Sequence, residues 1–211
     1  ETFNQKDETA VFNIWMTMMW FDEYLTWNET EYDIKYINLN NKLIWKPDIE
    51  LYNSASKAKV YNIYDNVRLK SNGNILWVRP ASFAFSCPLE LSQFPTDIQT
   101  CSMTFGSWSF PENKVLITPF NYKYDNTYLE DNNIFFTNKK TNNKNKIEYK
   151  NISISPSFTH NEWNIISYNC SYTSANYKCC PGDRWSVITF DISISRNSEK
   201  YYLTTIYIFI L

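Results

Sequence analysis

Alternation of apolar and polar side chains is the dominant pattern along this chain. It is clearest near the C-terminus, where the apolar residues Ile188, Phe190, Ile192 and Ile194 alternate with Thr189, Asp191, Ser193 and Ser195. Because successive side chains of a strand point to opposite sides of the sheet, a period of two predicts a strand with one solvent-facing side. Long helical periodicity is almost absent, so the pattern predicts an all-β fold, an antiparallel β-sandwich.

A turn signal and a change of composition divide the pattern. Two apolar-rich runs, 60–69 and 75–78, flank the sequence Ser71-Asn72-Gly73-Asn74. Asn-Gly supplies the positive φ angles of a tight turn, so these runs are predicted to form a hairpin. Residues 119–161 contain a long Asn- and Lys-rich tract, which cannot bury enough apolar surface to fold by itself. We therefore predict one domain over residues 1–198, interrupted by a polar, mobile surface insertion at 119–161.

Composition excludes several classes of protein. The net charge of the 211 residues is -2 and no long basic stripe is present, which argues against binding of nucleic acid. His160 is the single histidine, so histidine-based catalysis and a multi-histidine metal site are not expected. Three glycines leave no phosphate-binding loop. We expect neither an enzyme nor a bound cofactor or metal.

Other features indicate an extracellular segment of a longer protein. Three glycosylation sequons begin at Asn28, Asn151 and Asn169, and the five cysteines leave Cys170 over if two bridges form. The chain begins with neither methionine nor a signal peptide. It ends in an apolar run, 201–211, about half as long as the ~20 residues of a membrane span. We predict that 199–211 begins a truncated first transmembrane segment, with a final buried strand as the alternative.

Two cysteine patterns carry the most specific information. Cys179 and Cys180 are adjacent and lie between Tyr177 and Trp185. A disulfide between neighbours would stiffen a loop tip rather than staple the fold, although each cysteine could also be free or bonded elsewhere. Separately, a bridge between Cys87 and Cys101 would close a compact loop, a constraint of ~3 kcal/mol.

The loop between Cys87 and Cys101 also contains an internal motif. Phe94-Pro95-Thr96-Asp97 lies within it, and Pro95 after an aromatic residue is a candidate for a cis peptide bond.

These motifs, taken in chain order, resemble the extracellular domain of nicotinic acetylcholine receptor α-type subunits, in the Cys-loop or pentameric ligand-gated ion-channel family. The similarity is carried by Trp45 to Ala55, the loop between Cys87 and Cys101, Phe105 to Ser109, and the vicinal cysteines. It covers nearly the whole chain except the insertion. Compared with the family, the chain lacks the N-terminal helix, the first strand and the four membrane helices.

The resemblance implies an aromatic ligand-binding cage between two subunits. The principal face would contain Tyr52, Trp108, Tyr177 and Trp185, clamped by a Cys179–Cys180 disulfide, and the second disulfide would be Cys87–Cys101. The complementary face would contain Trp15, Leu76 and Val78. A quaternary ammonium group donates no hydrogen bond, but aromatic faces attract it by ~0.5–2 kcal/mol each. The other tryptophans are expected to be core residues: Trp20, Trp27, Trp45, Trp77 and Trp163.

Some family positions differ here. The family usually has tyrosine at the position of Trp185. Many of its members also have a lysine and an aspartate that form an ionic relay with the tyrosine at position 177, and these two positions are Thr104 and Val187 here. Arg196 matches an arginine ahead of the first membrane helix, and one of its usual acidic partner positions is assigned to Val11. Asp97 is then the expected partner of Arg196, in a pair that couples ligand binding to gating.

The resemblance predicts an acetylcholine-gated channel subunit that binds acetylcholine or a related cationic amine. It would assemble with homologous subunits into a pentamer and enter the membrane through segments after Leu211. Its predicted location is the extracellular face of the plasma membrane, at a postsynaptic site. Two alternatives remain: a secreted acetylcholine-binding protein of the same fold, and a structural, non-binding subunit.

Overall fold

The computed structural model describes residues 2–60, 66–119, 147–149, 162–199 and 201, and these are almost entirely strands, turns and loops. A single turn of helix, α1, spans Glu29–Tyr32, and a 3-10 turn spans Asn41–Leu43. The strands are β1 Thr2–Asn4, β2 Thr9–Phe21, β3 Tyr36–Asn40, β4 Ile49–Leu51, β5 Lys59–Val60, β6 Asn66–Lys70, β7 Asn74–Ser86, β8 Ile98–Ser107, β9 Ile147–Tyr149, β10 Trp163–Ala175 and β11 Trp185–Arg196.

The strands form two antiparallel sheets. The first sheet has the order β1-β2-β7-β6-β3, with β5 paired to β7, and the second has the order β4-β8-β11-β10-β9. The predicted antiparallel β-sandwich is therefore confirmed. The alternating segment near the C-terminus is β11, in which Ile192 and Ile194 are buried and the serines next to them are partly exposed.

The core lies between the two sheets and is rich in aromatic rings. Phe83 of β7 and Phe105 of β8 meet edge to face across the sandwich, with ring centroids 5.5 Å apart. Trp20, Trp77 and Trp163 are buried, as predicted. The same prediction is wrong for Trp45, which is 47% exposed and packs edge-on against Trp20. Trp27 is half-buried, and its indole N–H donates to the carbonyl of Ile34.

The predicted hairpin is confirmed. β6 and β7 pair through Leu69 and Ile75, and Gly73 has φ +85° in the turn between them. A Cβ at this position would lie 2.5 Å from the carbonyl oxygen of Asp22, so both the backbone angle and the available space require glycine. The first strand of the hairpin is described from Asn66, and residues 61–65 lie outside the described part.

Two predictions fall largely outside the described residues. Within the predicted insertion, 120–146 and 150–161 are not described, and Asn151 is among them. Residues 147–149 of the same region form β9, which pairs with β10. The apolar run 202–211 is also outside the described residues, so the predicted start of a membrane segment stays a prediction. In the part that is described, no helix has the length and apolarity to cross a membrane.

Candidate functional site

Four aromatic rings gather at one end of the second sheet. Tyr52 follows β4, Trp108 follows β8, Tyr177 lies in the loop between β10 and β11, and Trp185 begins β11. The Tyr52 ring centroid is 6.3 Å from the Trp108 ring and 6.3 Å from the Tyr177 ring, and Tyr177 is 5.7 Å from Trp185. All three contacts are edge to face. The fold thus brings together the four rings predicted for the principal face.

The four rings differ in exposure. The Trp108 side chain is 72% exposed, so it lies at the surface rather than inside the sandwich. Tyr177 is also exposed, whereas Trp185 is only 8% exposed and lies behind the Tyr177 ring. Trp108 and Tyr177 are therefore available for contact with a ligand or another chain, and Trp185 supports Tyr177 from within.

Asp48 fixes the segment that carries Trp108. One carboxylate oxygen of Asp48 accepts from the Ser107 hydroxyl, and the other accepts from the Ser109 N–H at 2.7 Å. The Trp108 N–H donates to the Asp48 carbonyl at 3.2 Å. Asp48 therefore holds the backbone on both sides of the exposed indole. Asp48 lies in the family-like segment Trp45 to Ala55, but this role was not predicted for it.

Tyr52 crosses the end of β8 because position 106 is glycine. The Tyr52 hydroxyl donates to the Ser107 carbonyl at 2.6 Å. A Cβ at Gly106 would lie 2.3 Å from the hydroxyl oxygen and 2.8 Å or less from two ring carbons of Tyr52. Burial, with the nearby Tyr177 and Asp48, raises the pKa of Tyr52 to about 12. The phenol therefore stays neutral and keeps its hydrogen bond at physiological pH.

The loop of residues 176–184 carries the vicinal cysteines and is referred to as the vicinal-cysteine loop. The Cys180 N–H donates to the Tyr177 carbonyl and the Asp183 N–H donates to the Cys180 carbonyl, which makes the loop compact. The sulfur atoms of Cys179 and Cys180 are 2.8 Å apart and unbonded, whereas a disulfide requires about 2.05 Å. The predicted disulfide is thus not formed here, and its formation in the mature protein stays a prediction. Burial and the neighbouring Cys179 raise the pKa of Tyr177.

The residues predicted for the complementary face lie together on the first sheet. Trp15 of β2 is 80% exposed. Val78 is opposite Thr17 and Leu76 is opposite Met19 in the β2–β7 register, so both share the outer side of the sheet with Trp15. Among the described residues, none of the ring contacts joins Trp15 to the four rings of the second sheet. One chain therefore presents two separate aromatic surfaces.

Arg196, the last residue of β11, is buried in an ionic and aromatic cluster. Its Nε atom is 2.7 Å from Asp97 Oδ1 and its Nη2 atom is 3.1 Å from Asp97 Oδ2, which gives the expected pair a bidentate geometry. The guanidinium also lies 4.3 Å from the ring centroid of Trp163 and 5.0 Å from that of Phe94. This cluster joins the Cys87–Cys101 loop to the end of β11.

A second acid of the Arg196 cluster was missed by sequence analysis. Glu162, next to Trp163, is 3.2 Å from Arg196 Nη1 and also accepts from the Tyr201 hydroxyl and from Gln5 at 3.2 Å. Val11, which had been assigned to an acidic partner position, lies within β2 opposite Ala84. Gln5 in the turn after β1 reaches the cluster instead. No pattern in the sequence marks Glu162 or Gln5 as neighbours of Arg196.

The cluster controls the ionisation of Asp97. Burial alone would raise the pKa of Asp97, but hydrogen bonds from Arg196 and Gln99, together with the positive charge of Arg196, hold it below its ordinary value. The carboxylate therefore stays charged and paired at neutral pH. The peptide bond between Phe94 and Pro95 in the same loop is cis, as predicted, and the loop is closed by the disulfide Cys87–Cys101.

The remaining predicted residues have mixed surroundings. Asn28 is exposed, and its side-chain oxygen caps α1 by accepting from the N–H groups of Thr30 and Glu31. Asn169 is half-buried on β10, opposite Asp191. Cys170 is fully buried, and burial with the charge of Asp191 raises the pKa of its thiol to about 12. Among the described residues, no group of three or more acidic, histidine or cysteine side chains is arranged to hold a metal ion.

Comparison with known proteins identifies the family. Residues 1–198 match the family model described as the neurotransmitter-gated ion-channel ligand binding domain. The chain belongs to this family. The resemblance found in the sequence is thereby confirmed, and so is the prediction that the chain is not an enzyme.

The relatives are acetylcholine receptor subunits. Subunit alpha-9-II of Oncorhynchus mykiss is 37% identical over 200 residues, which are 94% of this chain and 31% of that protein. Subunit alpha-L1 of Schistocerca gregaria is 29% identical over 204 residues, 96% of this chain and 33% of that protein. Subunit beta-4 of Homo sapiens is 36% identical over 120 residues, 55% of this chain and 24% of that protein. The chain thus spans about a third or less of the length of these relatives.

The neurotransmitter-gated channel domain described here differs from the expected α-type pattern near Tyr177. At the relay positions, the Thr104 N–H donates to the Asn53 side-chain oxygen at 3.2 Å, and Val187 is a buried residue of β11. Neither residue carries a charge. The raised pKa of Tyr177 therefore arises from burial and Cys179 rather than from an ionic relay.

The close approach at Gly106 leads to a first prediction. In Gly106→Ala the added methyl group should displace the Tyr52 ring, which has no room to coexist with it. We expect a loss of about 1–3 kcal/mol in the free energy of unfolding, measured by urea denaturation. The pKa of Tyr52 should also fall from about 12 towards the ordinary value of a tyrosine, measured by ultraviolet difference titration. The control is Tyr52→Ala: a methyl group added at 106 in that background should have little effect, and an equal loss in both backgrounds would contradict this explanation.

The Arg196–Asp97 pair leads to a pH-dependent prediction. The pKa of Asp97 is lowered in the folded state, so its contribution to stability is complete above its unfolded pKa of about 4 and is lost as the pH falls through the lower, folded value. Asp97→Asn should cost about 3–5 kcal/mol at pH 7, because it leaves Arg196 without its closest charge. The difference from wild type should shrink below pH ~4. Urea unfolding from pH 7 to pH 3 measures it, with the exposed Asp7→Asn as control; a constant difference would refute the assignment.

Proposed function

We propose that this domain is the neurotransmitter-binding part of an acetylcholine-gated channel subunit, and that its ligand is acetylcholine or a related cationic amine. The observation that carries the proposal is the group of rings Tyr52, Trp108 and Tyr177, which lies at the surface with Trp108 72% exposed. Aromatic side chains of this size are normally buried, and a rigidly held exposed group of them is typical of a binding site.

Cation–π attraction supplies the chemistry of the proposed site. A quaternary ammonium group lies over aromatic faces and gains ~0.5–2 kcal/mol from each ring as water is excluded. Asp48 and Gly106 fix Trp108 and Tyr52 before the ligand arrives, so little side-chain ordering is required on binding. Tyr177 lies on the vicinal-cysteine loop, whose own residues line an open cleft of about 460 Å³. Inward movement of this loop would complete the cage.

The complementary half of the site is proposed to come from a neighbouring subunit. Trp15, Leu76 and Val78 share the outer side of the first sheet, and within one chain they have no ring contact with the principal face. An exposed tryptophan flanked by apolar residues is typical of a protein interface. Because one chain carries both faces, copies of it, or homologous subunits, would assemble head to tail into a ring, which by family resemblance is a pentamer.

Transmission to a pore is proposed to pass through Arg196. The pair with Asp97 ties the end of β11 to the loop closed by Cys87 and Cys101. An agonist that binds the closed form of the vicinal-cysteine loop more tightly than the open form shifts the receptor population towards the closed form. In this proposal membrane segments follow Leu211, the domain lies on the extracellular face of the plasma membrane at a synapse, and Asn28, Asn151 and Asn169 carry glycans.

A binding experiment tests the proposed ligand. Trp108→Ala in the assembled full-length receptor should weaken acetylcholine binding by at least about tenfold, because a central cation–π contact is removed. Trp108→Phe should lose less, since a smaller aromatic face remains. Radioligand competition measures both. Trp45→Ala, a change of another half-exposed tryptophan outside the cage, should leave the affinity unchanged. Unchanged binding in Trp108→Ala would remove the assignment of the site.

A second experiment tests the proposed transmission. Reversing the Arg196–Asp97 pair, as Arg196→Asp together with Asp97→Arg, keeps one charge of each sign but reverses its position relative to Trp163, Phe94 and Glu162. The maximal agonist-evoked current per surface receptor should fall several-fold, whereas agonist affinity changes little. Whole-cell recording with surface labelling measures this. Equal gating by wild type and the reversed pair would argue against a role in coupling.

A further inference from the structure

Glu112 connects three parts of the site that sequence analysis treated as separate. One oxygen of its carboxylate accepts from the Tyr172 hydroxyl at 2.9 Å, and the other accepts from the Ser174 hydroxyl. Its backbone N–H donates to the Arg184 carbonyl at 2.6 Å. Glu112 therefore makes hydrogen bonds to three residues, two near the end of β10 and one just before β11.

The partners of Glu112 lie at the two ends of the vicinal-cysteine loop. Tyr172 and Ser174 are two residues apart on β10, so they share one side of the strand, and Ser174 is followed by Ala175, the last residue of β10. Arg184 immediately precedes β11. A single residue thus holds both the strand that enters the loop and the residue that leaves it.

Glu112 is also tightly connected to Trp108. It lies four positions after this residue, in a turn in which the N–H groups of Lys114 and Val115 donate to the Pro111 carbonyl. Asp48 fixes the other end of this segment through the Ser109 N–H. Because the segment is short and held at both ends, a displacement of Glu112 has to move Trp108 or break these bonds.

We infer that Glu112 is a positioning residue that forms the pivot of the vicinal-cysteine loop. Its carboxylate sets the resting separation of the Trp108 and Tyr177 rings and confines loop movement to residues 176–183. Hydrogen bonds to a charged acceptor are roughly twice as strong as neutral ones, which suits a fixed pivot beneath a moving loop. The inference rests on the proposed function for the role of the ligand, but the pivot itself is measurable without any ligand.

Amide hydrogen exchange of the full-length protein, followed by mass spectrometry without ligand, tests the pivot. Glu112→Ala should speed exchange of the hydrogen-bonded loop amides of Cys180 and Asp183 by at least about tenfold, because both hydroxyl bonds that hold the base of the loop are lost. Glu112→Gln should give a smaller increase of about threefold, since its amide still bonds one hydroxyl. Tyr172→Phe and Ser174→Ala should each give an increase between these values. Thr173→Ala is the matched control, because this exposed residue lies between the two but on the opposite side of β10.

Two further measurements separate a pivot from a general structural role. Protection of β2 and β7 amides should stay at the wild-type level in every variant, which shows that the sandwich is intact. The double variant Glu112→Ala with Tyr172→Phe should exchange no faster than Glu112→Ala alone, because the second change removes a bond already lost. If Glu112→Ala does not fold, Ser174→Ala and Tyr172→Phe provide the same comparison.

The outcomes are distinct. The inference would be overturned if the loop of Glu112→Ala exchanged no faster than that of Thr173→Ala. It would also be overturned if the effects of Glu112→Ala and Tyr172→Phe were additive in the double variant. Acetylcholine titration of the same variants should show an affinity change of about threefold or more with an unchanged number of sites. If wild-type protein binds no cationic amine, the proposed ligand fails while the exchange result still decides the pivot. If loop exchange is faster but acetylcholine affinity is unchanged, Glu112 stabilises the loop without positioning the binding site, and its positioning role is overturned.

Discussion

Hydrogen bonding of carboxylates to backbone and hydroxyl groups at the ends of strands is the constraint on which the site depends. An exposed ring gains little from packing, so its position has to be fixed by the backbone that carries it. Asp48 and Glu112 bind the two ends of the segment that contains Trp108, and Gly106 leaves the space that Tyr52 requires. Without these contacts the rings would remain, but their mutual distances would not be fixed.

The two sheets contribute different properties. The second sheet provides the fixed rings and the vicinal-cysteine loop, whereas the first provides the exposed surface around Trp15. Among the described residues the buried apolar side chains form three clusters, and the largest contains contacts such as that of Phe83 with Phe105. A close-packed interior of this kind transmits displacement rather than absorbing it. The described part of the domain can therefore be regarded as a stiff body.

Much of the fold was predictable because it follows from local patterns. Period-two alternation identified β11, Asn72-Gly73 identified the hairpin, and the family resemblance predicted the four rings that the fold brings together. Glu112 and Glu162 were not predictable, since they are two of 22 acidic residues and meet their partners only through strand order. Trp45 was misjudged because large aromatic residues are usually buried, and nothing local indicates that it lies at the rim.

The disulfide between Cys87 and Cys101 links different layers of the protein. Cys87 directly follows β7 of the first sheet, and Cys101 lies within β8 of the second. The disulfide therefore connects the two sheets covalently. The bond restricts sliding of the two sheets past each other at this end. The loop between the two cysteines is attached to both sheets. A displacement of this loop is consequently passed to both sheets rather than to one.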